Sequence, residues 1–171
     1  EKQGRYEDAI HEFQTAIKLK PGDSTYHYNL GTLYYRQKRF SSAIREYQAA
    51  LSLKPDFADA YNNLGYVYYE QGRLQDAVRE LHVALRLNPD DPNIHLNCGL
   101  VYDKQGLQDD AIKEFQIAIR LNPDFVDARY HIGMVYLKRG LNDKAMNEFE
   151  AVLRLKPDHP EALEAIKSTV R

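Results

Sequence analysis

The sequence has one cysteine, no tryptophan, two methionines and no apolar run near the roughly 20 residues that a membrane-spanning helix needs. A lone cysteine cannot close an internal disulfide, so no covalent framework holds the fold and the compartment stays open. Charge of one sign is also lacking, since 23 Lys and Arg stand against 25 Asp and Glu. That balance excludes a strongly basic nucleic-acid surface and a polybasic membrane anchor. The opening Glu1-Lys2-Gln3-Gly4-Arg5 has neither a signal-peptide core nor Met. Chemistry-bearing motifs are missing as well. His11, His27, His82, His95, His131 and His159 show no metal-ligand spacing, and Cys98 has no cysteine partner. There is no phosphate loop or nucleophile elbow. No enzyme, metal or cofactor is expected in this segment.

What is present is a period. Pro21, Pro55, Pro89, Pro123 and Pro157 are each 34 residues apart, and Gly31, Gly65, Gly99 and Gly133 keep the same step. So do Ala9, Ala43, Ala77, Ala111 and Ala145; Tyr34, Tyr68, Tyr102 and Tyr136; and Glu12, Glu46, Glu80, Glu114 and Glu148. Five residue types in one register make the chain a repeat array.

Each repeat reads as two helices. Tyr61, Leu64, Val67 and Tyr68 have helical spacing, as do Leu74, Ala77, Val78, Leu81, Ala84 and Leu85. Gln71-Gly72-Arg73 is the turn between them, with Gly72 available for a positive-φ helix end. Pro89 ends the second helix, and Asp90 and Asp91 suit the start of the next. Gly65 and Ala77 are expected where the two helices cross, and Ala84 where the second helix meets the next repeat. Nothing alternates with period two, so no strand is expected. The acid–base pairs of the second helices, such as Arg79–Glu80, read as a solvated convex face.

Tyr61, Leu64-Gly65, Tyr68, Ala77, Leu81, Ala84 and Pro89 together resemble the tetratricopeptide repeat (TPR) signature. Leu30-Gly31, Tyr34, Ala43, Tyr47, Ala50 and Pro55 repeat it, and so do Ile132-Gly133, Tyr136, Ala145, Phe149 and Pro157. Departures are the absence of Trp at His27, Tyr61, His95 and Arg129, Cys98 in place of Leu, and Val152 in place of a small Ala. The resemblance implies an all-α TPR solenoid, a right-handed superhelix of antiparallel helix pairs whose first helices line a concave groove that binds protein segments.

The phasing divides the chain into 1–23 (second helix of a cut repeat), repeats 24–57, 58–91, 92–125 and 126–159, and a capping helix 160–171. Lys167 in the glycine register would block a following helix, which supports the cap. Glu1 falls inside a repeat, so the true N-terminus is expected upstream. Ile10, Phe13 and Ile17, lacking a partner helix before them, are expected to form an apolar edge open to end-to-end self-association.

The groove face is what remains of each first helix once core positions are assigned. It carries Asn29, Asn63 and Asn97 in register, followed by His131. A side-chain amide both donates and accepts, so one per repeat could hold an extended peptide about every third residue. This resembles the asparagine ladder of TPR proteins that hold extended peptides, such as the O-GlcNAc transferase array. Asn-Leu-Gly is also common in TPR helices generally, which leaves a purely structural role open. Of the 13 tyrosines, Tyr28, Tyr35, Tyr66, Tyr69 and Tyr130 are expected on this face, with Asn62, Leu96, Leu100, Met134 and Leu137. Mutual burial of the tyrosines between neighbouring helices is the alternative. The carboxylate clamp of chaperone-binding TPR domains would need cations where this chain has Thr25, Asp59, Asn93 and Asp127. Cys98 reads as a buried inert thiol.

The expected function is a soluble, non-catalytic scaffold holding an extended or partly helical peptide segment, with a protein or peptide partner and neither nucleic acid nor membrane insertion. The rival readings are a substrate-recruiting array of a larger glycosyltransferase-like enzyme and a self-assembling scaffold.

Overall fold

Proline, glycine and aspartate set the helix limits. The computed structural model describes residues 2–169, with side chains from residue 6; among these are ten α-helices and no strand. They fall into two units, Glu1–Pro89 and Asp90–Arg171. The first unit holds α1 (Lys2–Leu19), α2 (Ser24–Arg36), α3 (Phe40–Leu53), α4 (Ala58–Glu70) and α5 (Leu74–Leu87). The second holds α6 (Pro92–Lys104), α7 (Gln108–Leu121), α8 (Val126–Lys138), α9 (Asn142–Leu155) and α10 (Pro160–Thr169).

Asp23 caps α2 by accepting from the Thr25 N–H at 2.9 Å, and Asp91 caps α6 through the Asn93 N–H at 2.8 Å. Each first helix then ends in the same double-bonded turn. In α4 the Gly72 N–H reaches the Tyr69 carbonyl and the Arg73 N–H reaches the Tyr68 carbonyl, both at 2.9 Å. Gly72, Gly106 and Gly140 occupy this turn with φ of 73°, 79° and 70°. In the earliest such turn the residue is Lys38, with φ of 58°. A lysine here carries a Cβ strain that the three glycines avoid.

The second helix packs against its first helix through a glycine notch. A Cβ added to Gly65 would lie 2.7 Å from Cγ of Leu81, and one on Gly133 would lie 2.7 Å from Cε1 of Phe149. Gly31 meets Tyr47 and Gly99 meets Phe115 in the same way. The filling side chains Tyr47, Leu81, Phe115 and Phe149 are almost wholly buried, as are Ala43, Ala77, Ala111 and Ala145. Val152, in place of the second small alanine, is also fully buried.

Polar contacts repeat with the core. Gln14 donates to the Tyr34 hydroxyl at 3.1 Å, and Gln48 to Tyr68 and Gln116 to Tyr136 at 3.4 Å. The Tyr34 and Tyr68 rings lie under the guanidinium groups of Arg39 and Arg73, 4.5 and 4.3 Å from the ring centroids. The periodic glutamates are tied in too. Glu46 meets His27 at 2.8 Å, Glu114 meets His95 at 2.6 Å, and Glu148 accepts from Arg129 at 3.0 Å. These three carboxylates are therefore cross-helix ties within their hairpins, whereas in the remaining hairpin Glu80 accepts from the exposed Arg79 beside it at 3.4 Å.

The expected apolar edge on α1 needs a similar correction. Ile10 is 4% exposed, because α1 packs on α2 and turns that side chain inward. Phe13 and Ile17 are half-buried, and the Phe13 ring lies 6.4 Å from that of Tyr26. Among the exposed large apolar side chains is instead Leu19, at the end of α1. Tyr102, unlike its buried register mates Tyr34, Tyr68 and Tyr136, is half-buried.

Lys38→Gly should raise stability by about 0.5–1 kcal/mol, since it removes left-handed strain at an exposed turn. Denaturant midpoints will check this. Gly99→Ala should destabilise by about 1–2 kcal/mol: the added methyl collides with Phe115 by more than the helix-propensity gain of about 1 kcal/mol repays. Burial, and secondarily Glu114, push the Cys98 thiol far above its ordinary range. A thiol reagent at pH 8 should therefore label Cys98 only as the α6–α7 hairpin opens, so that along a denaturant series labelling begins no earlier than the first loss of helicity.

Candidate functional site

In the first unit α2 and α4 pack directly on each other, which brings Tyr28, Tyr35, Asn63, Tyr66 and Tyr69 together. Asn63 Nδ2 donates to the Tyr28 hydroxyl at 3.1 Å. The two residues are 35 apart, one repeat plus one position. The Tyr28 ring is wedged against Phe57, with centroids 4.9 Å apart, and against Tyr47 at 5.9 Å. Burial, helped by the Asp59 carboxylate, raises the Tyr28 pKa. Tyr47, whose hydroxyl pairs with Thr32 at 3.2 Å, is pushed by burial to about 12. Both hydroxyls thus stay protonated at neutral pH.

Further along the same helices, Tyr35 meets Tyr66 edge-on at 5.8 Å, and Tyr66 stacks on Tyr69 at 5.7 Å. Tyr35 also lies 6.2 Å from Phe40. Burial raises the pKa of Tyr66 strongly, with Tyr35 and Glu70 adding to it; for Tyr35 the causes are burial and then Glu70. These tyrosines are half-buried against one another, so mutual packing and partial exposure coexist. Asn29 is half-buried on α2. Asn62 is not on an open face, for it is only 9% exposed, whereas Tyr28 in the same register is half-buried.

In the second unit, Asn97, Tyr130, His131 and Met134 are all half-buried. Leu100 is not a face residue either, for at 9% exposed its wholly apolar side chain lies on the core. The His131 ring stacks on Phe115 at 6.0 Å and meets Tyr130 edge-on at 5.3 Å. Tyr130 in turn lies 5.3 Å from His159 and 6.0 Å from Phe149. Burial lowers the His131 pKa, with Asp127 and Asp103 opposing and Lys138 reinforcing. A neutral imidazole offers one donor and one acceptor, the same pair that a side-chain amide offers. Lys138 Nζ donates to Asp103 Oδ2 at 2.6 Å, again across 35 positions, while Asp103 Oδ1 is buried without a hydrogen-bond partner among the described residues.

Sequence reasoning missed Phe40 and Phe57 as neighbours of these tyrosines, and it missed the Asp103–Lys138 pair. The signal for the Asp103–Lys138 pair was the 35-residue spacing, which it shares with Tyr28–Asn63 on successive first helices. At the carboxylate-clamp positions Thr25, Asp59, Asn93 and Asp127 are exposed, and none is a cation. Among the described residues no group of three or more His, Cys, Asp or Glu could hold a metal ion, and no helix is long and apolar enough to cross a membrane.

Family models described as "TPR repeat" match residues 2–38, 33–72 and 65–106, and one described as "Tetratricopeptide repeat" matches 96–160. No match was found among curated proteins. Among solved structures, MamA is similar with a TM-score of 0.78 and 28% identity, over 94% of each chain. TTC0263, a thermophilic TPR protein of Thermus thermophilus, has a TM-score of 0.81 and 26% identity over 98% of this chain and 92% of its own. YrrB, described as a TPR protein with an unusual peptide-binding site, has a TM-score of 0.76 and 25% identity over 97% of this chain and 86% of its own. With ten helices among the described residues, glycine-notched hairpins and family matches along most of its length, this chain belongs to the tetratricopeptide repeat family, an all-α protein-interaction fold.

Proposed function

We propose that this chain is a non-catalytic scaffold that binds an extended or partly helical peptide segment on the first-helix face within a unit. The observation that carries this reading is the Asn63 amide, held by the Tyr28 hydroxyl at 3.1 Å beside half-buried tyrosine rings. An amide fixed before a ligand arrives loses little further rotamer freedom on binding, and its carbonyl oxygen is left to accept from a peptide N–H. Tyrosine adds broad contact area at low entropic cost and a hydroxyl that can pair with the backbone. Asn29 on α2, and Asn97 with neutral His131 in the second unit, offer the same donor-acceptor chemistry. The unusual peptide-binding site of YrrB supports the general mode, as does membership of the family.

Peptides selected from a random library against the full chain provide the ligand. Replacing Asn63 with Ala and Tyr66 with Ser should weaken a peptide selected on the first unit by at least about tenfold, a loss of roughly 1.4 kcal/mol from one amide pair and one aromatic contact. Unchanged affinity in variants of intact helicity would reject the face as the binding site. For a peptide contacting His131, affinity should hold as pH falls through about 6.5, the ordinary histidine value, and drop only below it. The reason is that burial lowers this pKa, so the ring keeps its acceptor nitrogen further into acid. Calorimetry at several pH values will test the midpoint against that of His131→Asn, which should show no such drop.

A further inference from the structure

The first unit holds an unusual charge. Arg36, Lys104 and Lys138 share one repeat position, the last residue of a first helix, and at that position α4 carries Glu70. Helix electrostatics favour cations at this end and disfavour an anion. Glu70 is exposed and forms no ion pair with Lys or Arg among the described residues. Arg36, the cation on this face of the unit, is also exposed and does not pair with it. No cation among the described residues of the unit is paired with Glu70 to offset the disfavoured charge.

The rings of Tyr35, Tyr66 and Tyr69 are in contact at 5.8 and 5.7 Å, and the Tyr66 hydroxyl hydrogen-bonds the Glu70 carboxylate at their margin. Glu70 contributes to the raised pKa of both Tyr35 and Tyr66, which places it electrostatically next to their hydroxyls. Aromatic faces attract cations, and a carboxylate at their margin adds a charged acceptor. The arrangement suits a guanidinium better than an ammonium. A planar, weakly hydrated group can stack on a tyrosine ring while its fork of N–H donors reaches a carboxylate. In the second unit the equivalent carboxyl-terminal residue of α8 is Lys138, already paired with Asp103, and Leu137 stands in the register of Tyr35 and Tyr69.

We infer that Tyr35, Tyr66, Tyr69 and Glu70 form an arginine-binding shelf, so that the segment bound by the first unit carries an arginine side chain there. This assignment rests on the peptide-binding reading above and deepens it by naming the chemistry selected.

The test uses the full chain and fluorescein-labelled peptides in which arginines are separated by glycine and serine. A second set carries citrulline, which keeps the shape and loses the charge. By fluorescence anisotropy the arginine peptide should bind at least about fivefold more tightly than the citrulline peptide, with the gap widening as salt is lowered. E70Q should reduce the gap to about twofold or less with helicity unchanged, because an exposed carboxylate is removed without touching the core. Equal affinities, absence of arginine-peptide binding, or a gap that survives E70Q would overturn the assignment. If library-selected peptides depend on Asn63 and Tyr66 while citrulline replacement costs them nothing, the scaffold reading stands and the arginine shelf falls. If no peptide is selected at all, both fall.

Discussion

The close approach of two helices at a glycine is the constraint on which the rest of each unit depends. Gly31, Gly65, Gly99 and Gly133 leave space that Tyr47, Leu81, Phe115 and Phe149 fill, each sixteen residues later in the chain. Once a ring or leucine seats against the bare backbone, the rotation of the second helix about its axis is set. That rotation aligns the periodic glutamates with His27, His95 and Arg129, and it leaves the outer faces of the first helices for α2 to meet α4 and for α6 to meet α8. The tyrosine face is thus a by-product of how tightly the hairpins close.

Much of this was legible in the sequence because identical residues at a fixed interval demand identical local solutions. Gly72 at a positive-φ helix end and Gly65 at a helix crossing follow directly from the periodic pattern, as does the burial of Cys98. The face was harder to read, since it was assigned as whatever the core left over. Such subtraction cannot weigh what each neighbouring repeat packs against a position. Asn62 and Tyr28 share a register, yet Asn62 is buried while Tyr28 is half-buried against Phe57 and Tyr47. Leu100 failed for a related reason, as an apolar side chain bordering a core settles onto it.

Contacts between successive first helices were also hidden. A period reveals what repeats at 34 residues, but the two polar pairs that join successive first helices sit at that interval plus one, and their identities differ. Tyr28 with Asn63 and Asp103 with Lys138 are chemically unrelated pairs in the same geometric relation. The repeat therefore conserves architecture while each step of the face is written independently. Recognition chemistry can change from one repeat to the next without disturbing the notch beneath it.

The polar ties between helices described above join residues only 15 to 35 positions apart. Loops of that size close at little entropic cost, and each closure is rewarded at once by a hydrogen bond or a filled notch. A chain dominated by such short-range contacts folds quickly for its length, and it can open from one end while the remaining hairpins stay intact. The same locality makes the 34-residue segment a unit of evolutionary exchange. A segment duplicated or deleted in frame recreates the same junctions on either side, so the number of binding steps can change while the rules that hold each one are inherited whole.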